Sequence, residues 1–305
     1  MIINQEADEL VYRAAFGCQK TGYIFRNDKT CVDYRDKFKK KDIIKACKEQ
    51  GKELDKDYML FPYVILSEEN VAISIIDNII KNLLALEHPT LGKTKTLNLW
   101  LTPSDRSNFR FDVVNTEGPN GMGYKAGRGT KPHYYSLIRQ RVIDKWDAVE
   151  IQGYEADDAL GLYQSTNTVA SHIDKDINMI SGWHYNYVTN DFYYIRDGLG
   201  ELELVDGKIK KGGKAFFWLQ MLTGDRIDNI PGIPKIGPKT AYNMLKDCKT
   251  ELECYSVVEK AYYDCYTDSP DVYAIMAEIA DLLYICTSPS ETGRDYLRKV
   301  ATSEL

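Results

Sequence analysis

The sequence predicts an α/β protein: a central, mostly parallel sheet flanked by helices, followed by a smaller helical part. Three observations carry that expectation. Short β-branched or apolar runs at Met1–Asn4, Thr96–Leu101, Ala148–Gln152 and Thr168–Ile173 alternate with segments of helical character, the pattern of parallel strands joined by crossovers. From Phe216 onward strand signals fade and helical ones take over, which sets a boundary near residue 212. The 305 residues are enough for one large or two moderate domains. The expected division is an α/β core over residues 1–212 and a helical part over residues 213–305.

The first run, Met1–Asn4, opens the sheet. The long region between it and Thr96–Leu101 reads as helical, and within it Val71–Leu86 carries apolar residues at helical spacing, a core-facing stripe. The runs at Ala148–Gln152 and Thr168–Ile173 supply further strands, and Asn190–Leu204 reads as strand and turn. A carboxylate follows each of the four strands: Glu6, Asp105, Glu155 and Asp174. In open parallel sheets the ligand crevice lies at the carboxyl ends of the strands. Four acids converging there repel one another unless cations neutralise them.

Composition narrows the chemistry. No apolar run approaches the roughly 20 residues of a membrane helix, and the N-terminus lacks the basic-then-apolar pattern of a signal peptide, so a cytoplasmic protein without a membrane partner is expected. Seven cysteines with no C-x-x-C pair, and four scattered histidines, argue against a disulfide framework and a thiolate zinc site. Any metal is therefore expected to be held by oxygen. The formal charge is −6; with nine candidate metal-binding carboxylates set aside, the remainder becomes +3. A polyanionic partner is thus not excluded.

Those nine acids fall mainly into three clusters. Gly153-Tyr154-Glu155-Ala156-Asp157-Asp158 puts three carboxylates at a helix start, where the helix dipole favours acids but a cap needs fewer. Asp174-Lys175-Asp176 follows a strand with D-x-D spacing, and Asp225 and Asp228 stand three apart in Gly224–Asn229. A solvated turn accounts for either of these alone. Together with Glu6 and Asp105 they make a hard-oxygen set suited to Mg²⁺ or Mn²⁺. Two such ions about 3.5–4 Å apart can activate water and stabilise the leaving oxygen of a phosphodiester.

Cations are interleaved with aromatics from Tyr124-Lys125-Ala126-Gly127-Arg128 through Lys131, His133, Tyr134 and Tyr135 to Arg139, Arg141 and Lys145. Such a segment suits either a nucleic-acid backbone or a solvated amphipathic helix. Gly232-Ile233-Pro234-Lys235-Ile236-Gly237-Pro238-Lys239-Thr240 lacks the contiguous G-K-[ST] of a phosphate loop, because Pro238 intrudes. It reads instead as a tight helix–loop–helix, with Gly232, Lys235, Gly237 and Lys239 placed to grip one phosphate backbone. His172, Trp183, Trp218 and the tyrosines of 254–284 read as packing residues.

Together these motifs resemble the 5′-nuclease superfamily of flap endonucleases and 5′→3′ exonucleases, especially phage T7-type exonucleases and the 5′-nuclease domain of bacterial DNA polymerase I. Glu6-Ala7-Asp8-Glu9-Leu10-Val11-Tyr12-Arg13 is similar to the family's opening element, and Ser104–Arg110 to the segment with a metal aspartate and a following arginine. Tyr124–Arg128 resembles its Y-K-[AG]-x-R motif. Glu155, Asp157 and Asp158 match E-A-D-D, while Asp174 and Asp176 match D-[KG]-D. The segment from Asp225 and Asp228 through Gly237 resembles the family's helix–three-turn–helix. Residues 19–85 and those after about 250 match none of these motifs.

The resemblance implies a helical arch over about 120–150 and a C-terminal part that binds duplex DNA. It implies two Mg²⁺ or Mn²⁺ ions on Glu6, Asp105, Glu155, Asp157, Asp158, Asp174, Asp176, Asp225 and Asp228, and a K⁺ held by backbone carbonyls within 229–237. Lys125 and Arg128 would contact the scissile phosphate, Tyr124 would stack on a base, and Arg110 and Lys131 would meet DNA. The implied activity is metal-dependent 5′→3′ exonuclease or flap endonuclease action by a monomer on DNA with a 5′ end, 5′ flap or duplex, with RNA in RNA–DNA hybrids a further substrate. Glu6 stands where the family usually has aspartate, and its extra methylene leaves a second reading open: a weakened or silent DNA-structure binder of the same fold.

Overall fold

Ile2–Glu6 is buried along nearly its whole length, with Ile3, Asn4 and Gln5 fully enclosed, as befits a strand covered on both faces. It lies inside a six-stranded sheet in the computed structural model, which describes residues 1–27, 30–33, 40–49, 59–113, 123–205, 208–210 and 212–302. Across the sheet the strands run Asp191–Ile195, Gly182–Asn186, Thr168–Ser171, Ile2–Glu6, Thr96–Leu101 and Val149–Glu150. All neighbours are parallel except the edge strand Asp191–Ile195, which runs antiparallel to Gly182–Asn186. The mostly parallel α/β sheet expected from the four apolar runs is the observed fold. Asn4 shows how a polar side chain is kept inside it: its Oδ1 accepts from Asn98 Nδ2 at 2.9 Å and Trp100 Nε1 at 3.3 Å, and its Nδ2 donates to the Tyr163 carbonyl at 3.1 Å.

The chain divides into two compact units. One comprises Met1–Glu9, Asn82–Thr130 and Trp146–Leu305; the other comprises Leu10–Lys81 and Lys131–Lys145. The second unit contains an antiparallel sheet, Thr30–Asp33 beside Gln19–Asn27 beside Met59–Leu66, where a wholly helical stretch was expected. The reason is legible afterwards: Tyr23-Ile24-Phe25 and Tyr63-Val64-Ile65 are runs of β-formers, and Pro62 is tolerated on an edge strand. The apolar stripe at 71–86 does form a helix, Glu69–Leu84. Within this unit Asp77 pairs with Arg141 at 2.8 Å and with Lys145 at 2.6 Å, so two of the interleaved cations have a counter-ion.

In the first unit the helix Lys214–Thr223 is apolar all round and buried from Ala215 to Leu222, which marks it as the centre of its layer. Helices Glu251–Cys265, Val272–Leu283 and Gly293–Thr302 pack about it. Phe217, Trp218, Tyr262, Tyr284 and Tyr296 fill the space between them, Tyr284 stacking on Tyr296 with ring centroids 4.7 Å apart. Glu251–Cys265 begins with a capping box: Thr250 Oγ1 accepts from Glu253 N–H and Glu253 accepts from Thr250 N–H.

Between Lys214–Thr223 and Pro238–Leu245 the chain crosses itself at two glycines. Gly224 has φ of +65°, and a Cβ there would stand 2.4 Å from Gly232 N and Ile230 O; one on Gly232 would stand 2.2 Å from the Thr223 carbonyl carbon. Backbone lies against backbone, so neither contact can yield. Gly232→Ala is expected to cost about 2–4 kcal/mol in urea unfolding. Gly237→Ala, whose Cβ would meet nothing within 4 Å, is expected to change stability by less than about 0.5 kcal/mol. Equal costs at the two sites would contradict this account of the crossing.

Candidate active site

Every acid of the predicted set belongs to the first unit. Glu6 ends its strand and leads straight into helix Ala7–Gly17. Its Oε2 accepts from Glu9 N–H at 2.7 Å, while Asp8 Oδ2 accepts from Thr102 N–H at 2.8 Å just past the neighbouring strand. Glu9 accepts from Ile173 N–H at 3.0 Å and from Tyr187 OH at 3.3 Å. Local hydrogen bonding thus turns the first helical turn toward the loop that carries Asp174 and Asp176. Glu9 is missing from the sequence-predicted set. The signal for it was its position three residues after Glu6, on one helix face.

Two electrostatic classes emerge. Burial pushes Glu6 well above the usual carboxylate range, and repulsion from Glu9, Asp8 and Asp157 adds to it. Asp157 is also pushed well up, by burial and then by Asp174. Glu9 rises to about 7, mainly through burial with a contribution from Asp174, and Asp176 to about 7 through burial and then Asp174. Asp174 itself is raised by burial. These five acids crowd one another, and although Lys175 Nζ lies 3.6 Å from Asp176 Oδ1, it does not offset the burial and repulsion that raise Asp176 and Asp174.

The other class has its cations in place. Burial works against ionised Glu155 and Asp158, but nearby cations more than offset it and both pKa values are lowered. Lys125 Nζ stands 2.7 Å from each Glu155 oxygen, and Tyr124 OH donates to the same carboxylate at 3.0 Å. Lys125 adopts φ of +55° and donates its N–H to the Asp228 carbonyl at 2.8 Å, and Asn229 Nδ2 donates to the Gly123 carbonyl at 3.0 Å. The Tyr124–Arg128 segment is thereby docked on the Asp225–Asn229 turn, where Arg128 pairs with Asp228. A cavity of about 30 Å³ is lined by Glu155, Asp157, Asp176, Asp225 and Asp228. That is room for about two water-sized bodies.

Several predicted residues stand elsewhere. Asp158 is fully buried and accepts from Arg110 NH1 at 2.5 Å, Arg110 NH2 at 2.9 Å, Glu155 N–H at 3.0 Å and Cys286 N–H at 2.9 Å. Its lone pairs are taken. Arg110 is 3% exposed and gives its remaining donors to the Leu282 and Tyr284 carbonyls, so it lies inside the fold and not on a DNA-facing surface. Asp105 is exposed, and its carboxylate accepts from Ser107 N–H at 3.0 Å; hydrogen bonding from the Ser107 side chain and then from this N–H lowers its pKa, and it does not join the cluster. Gly232 is the backbone crossing described above. Lys235, Gly237 and Lys239 are exposed around the start of Pro238–Leu245. In the second unit Lys131 is exposed, its ammonium 4.2 Å from the centre of the Tyr135 ring. His172 packs as expected, its Nε2 2.8 Å from His184 Nδ1.

All nine predicted ligands are oxygen donors, which suits a hard divalent cation. Among the described residues, no three His, Cys, Asp or Glu side chains already surround one ion position. The five raised acids fit such ions in chemistry, and side-chain rotation is needed to close around them.

That need has a measurable sign. Glu9 and Asp176 titrate at about 7 in the fold against ordinary values of 4.5 and 3.8, so the folded chain holds more protons and loses stability as pH rises through about 7. His172 and His184, drawn down to about 3 and about 4 by burial, work oppositely, but their contribution is complete above the ordinary value of 6.5. Between pH of about 6.5 and 8.5 the acids act alone. In EDTA the melting temperature is expected to fall by about 2–5 °C across that window, and Mg²⁺ or Mn²⁺ should restore it, more at the upper pH than the lower. A metal shift independent of pH would count against the cluster as the binding site.

No family model matches the chain. It is 28% identical over 170 residues to DNA polymerase I of Rhizobium leguminosarum, a match covering 52% of this chain and 16% of that one. It is 27% identical over 219 residues to a 5′-3′ exonuclease of Buchnera aphidicola subsp. Schizaphis graminum, covering 68% of this chain and 71% of the relative. By sequence, this chain is similar to bacterial proteins named 5′-3′ exonuclease. It spans only about 14–16% of the DNA polymerase I chains it matches. A 5′-3′ exonuclease of Streptomyces coelicolor is 33% identical over 110 residues, covering 32% of this chain and 35% of that one. Among solved structures, the T5 D15 protein co-crystallized with metal ions overlaps 99% of this chain and 97% of its own at 14% identity, with a TM-score of 0.43. That overlap is too loose to carry an argument.

Proposed function

We propose that the chain is a 5′→3′ exonuclease or flap endonuclease that hydrolyses DNA phosphodiesters at this acidic cleft with two divalent cations. The observation that carries the proposal is the set of five acids, Glu6, Glu9, Asp157, Asp174 and Asp176, all held above the usual carboxylate range despite Lys175 beside Asp176, next to Lys125 and Arg128, which pair with Glu155 and Asp228. The sequence relatives named 5′-3′ exonuclease support the same reading. Glu6, Asp157, Asp174, Asp176 and Asp225 hold the ions, with Glu9 as an additional ligand. Bound there, divalent cations supply an activated water and stabilise the leaving oxygen. Glu155 keeps Lys125 at the cleft and Asp228 keeps Arg128 there, where the two cations bind the non-bridging oxygens of the scissile phosphate. Tyr124 supports the adjacent base. Helical residues 213–305 present Lys235, Gly237 and Lys239 to one strand of the duplex, with K⁺ on the carbonyls within 229–237.

The test uses a 5′-flap duplex and a blunt duplex, each labelled at either end, with Mg²⁺, Mn²⁺ or EDTA. Products released from the 5′ end only when metal is present are expected, and their sizes separate stepwise trimming from cutting at a flap junction. Intact DNA with either metal would overturn the proposal.

One observation favours a second reading, the weakened DNA-structure binder: Glu6 folds back to accept from Glu9 N–H at 2.7 Å and is only 4% exposed. If that bond holds the carboxylate from an ion, Glu6→Asp should raise the cleavage rate by about ten-fold or more, roughly 1.4 kcal/mol. A rate that falls instead assigns the glutamate as the working ligand.

A further inference from the structure

The acids occupy the carboxyl ends of the parallel strands. At the amino ends of the same sheet lies a separate cavity of about 510 Å³, within the range of small-molecule sites. Its wall is built by Gln164 before the strand Thr168–Ser171, by Trp183 at the start of Gly182–Asn186, by Tyr194 and Asp197 at the end of the antiparallel edge, and by Lys214 opening the buried helix.

Lys214 is the unusual group there. Its ammonium lies 4.8 Å from the ring centres of both Tyr284 and Tyr296 and 3.4 Å from Tyr284 OH, and among the described residues no carboxylate forms an ion pair with it. Burial lowers its pKa, while Glu251, Glu291 and Asp197 raise it from beyond ion-pairing distance. A desolvated cation without a counter-ion is costly, and an anion entering the cavity offsets that cost. Another part of the wall is aromatic. Trp183 and Tyr194 stand 5.1 Å apart at 69°, with Trp183 braced edge-on by His88 at 4.2 Å and Tyr194 left 55% exposed. An exposed ring beside a fixed one offers a planar ligand a stacking face. Gln164 is already engaged with the Trp183 carbonyl and Thr168, so it shapes the wall without reading a ligand.

We propose that this cavity binds a 5′-mononucleotide, its phosphate toward Lys214 and its base against Tyr194 and Trp183. Neither end of the site uses the acidic cleft, so the inference stands apart from the proposed nuclease activity. Asp197, exposed and the one acid in the wall, opposes the phosphate and weakens binding without preventing it.

Calorimetry of the intact chain in EDTA tests the assignment with deoxyadenosine 5′-monophosphate, deoxyadenosine and inorganic phosphate as separate ligands. The monophosphate is expected to bind with a Kd below about 1 mM, and the other two at least about ten-fold more weakly. Lys214→Met should weaken the monophosphate about ten-fold, and Asp197→Asn should strengthen it about two- to five-fold. Asp157→Asn should leave binding unchanged, which separates this cavity from the acidic cleft. Should Lys214→Met fail to fold, Tyr194→Ala at an exposed position carries the test, with about a ten-fold loss expected. No saturable heat, equal affinity for the nucleoside, or unchanged affinity in a folded Lys214→Met or in Tyr194→Ala overturns the inference.

Discussion

Asp157→Asn is expected to reduce metal-dependent cleavage by on the order of 10²–10³-fold or more while raising the stability of the metal-free protein. The two effects have one cause. Asp157 is pushed well above the carboxylate range by burial and then by Asp174, with Glu155 and Glu9 adding repulsion and Lys125 alone among the named charges easing it. An amide removes that repulsion and keeps the shape, so unfolding in EDTA at a pH of about 8 should become harder by about 1–2 kcal/mol. The same substitution removes a metal oxygen from the 30 Å³ cavity shared with Glu155, Asp176, Asp225 and Asp228. Binding to a 5′-flap duplex should survive, because Lys235 and Lys239 lie elsewhere in the unit. An acid kept for structural reasons behaves the other way: its amide loses stability and leaves turnover intact. Cleavage at the native rate by a stabilised variant removes Asp157 from the reaction, and destabilisation with lost activity removes the electrostatic account.

Four strands of the sheet were legible because burial on both faces leaves short apolar runs in the sequence, whereas Gly182–Asn186, with Trp183, His184 and Asn186, carries no such run. The antiparallel sheet of the second unit was not legible, since Gln19–Asn27 mixes polar and apolar residues without a clean period. Within the site, sequence marks which residue types gather but not which of them face one another. Asp157 and Asp158 are adjacent and chemically identical, yet one is repelled by Asp174 and the other is clasped by an arginine 48 residues away. Asp105 follows its strand as Glu6 does, but sits out on an exposed turn. Glu9 was hidden by the helix start that brings it round to Ile173 and Tyr187. For Asp158 and Glu9 the deciding partner is distant in the chain and no local pattern encodes it, whereas Asp105 is held by Ser107 only two residues on.

Asp158→Ala is expected to destabilise the protein by about 3–5 kcal/mol, as is Arg110→Ala, and the double variant by less than the sum. The carboxylate and guanidinium are 0% and 3% exposed, and they meet through two hydrogen bonds of 2.5 and 2.9 Å. Removing either leaves a bare charge in a water-excluded space, which is the expensive outcome; removing both leaves a cavity but no charge. The pair also ties three segments together. Asp158 receives N–H groups from Glu155 and Cys286, and Arg110 donates to the carbonyls of Leu282 and Tyr284. The Glu155–Asp158 turn is thereby fixed to the chain leaving helix Val272–Leu283, and Glu155 and Asp157 are oriented from behind. Any cleavage defect in Asp158→Asn, which retains part of the hydrogen bonding, should therefore appear as lost positioning: metal affinity falls, and high Mg²⁺ restores part of the rate. A defect that no metal concentration relieves, in a variant with native stability, would instead place Asp158 among the ion-binding groups despite its engagement with Arg110. Chemical unfolding of the four proteins of the cycle, with cleavage measured across a Mg²⁺ series, distinguishes the two.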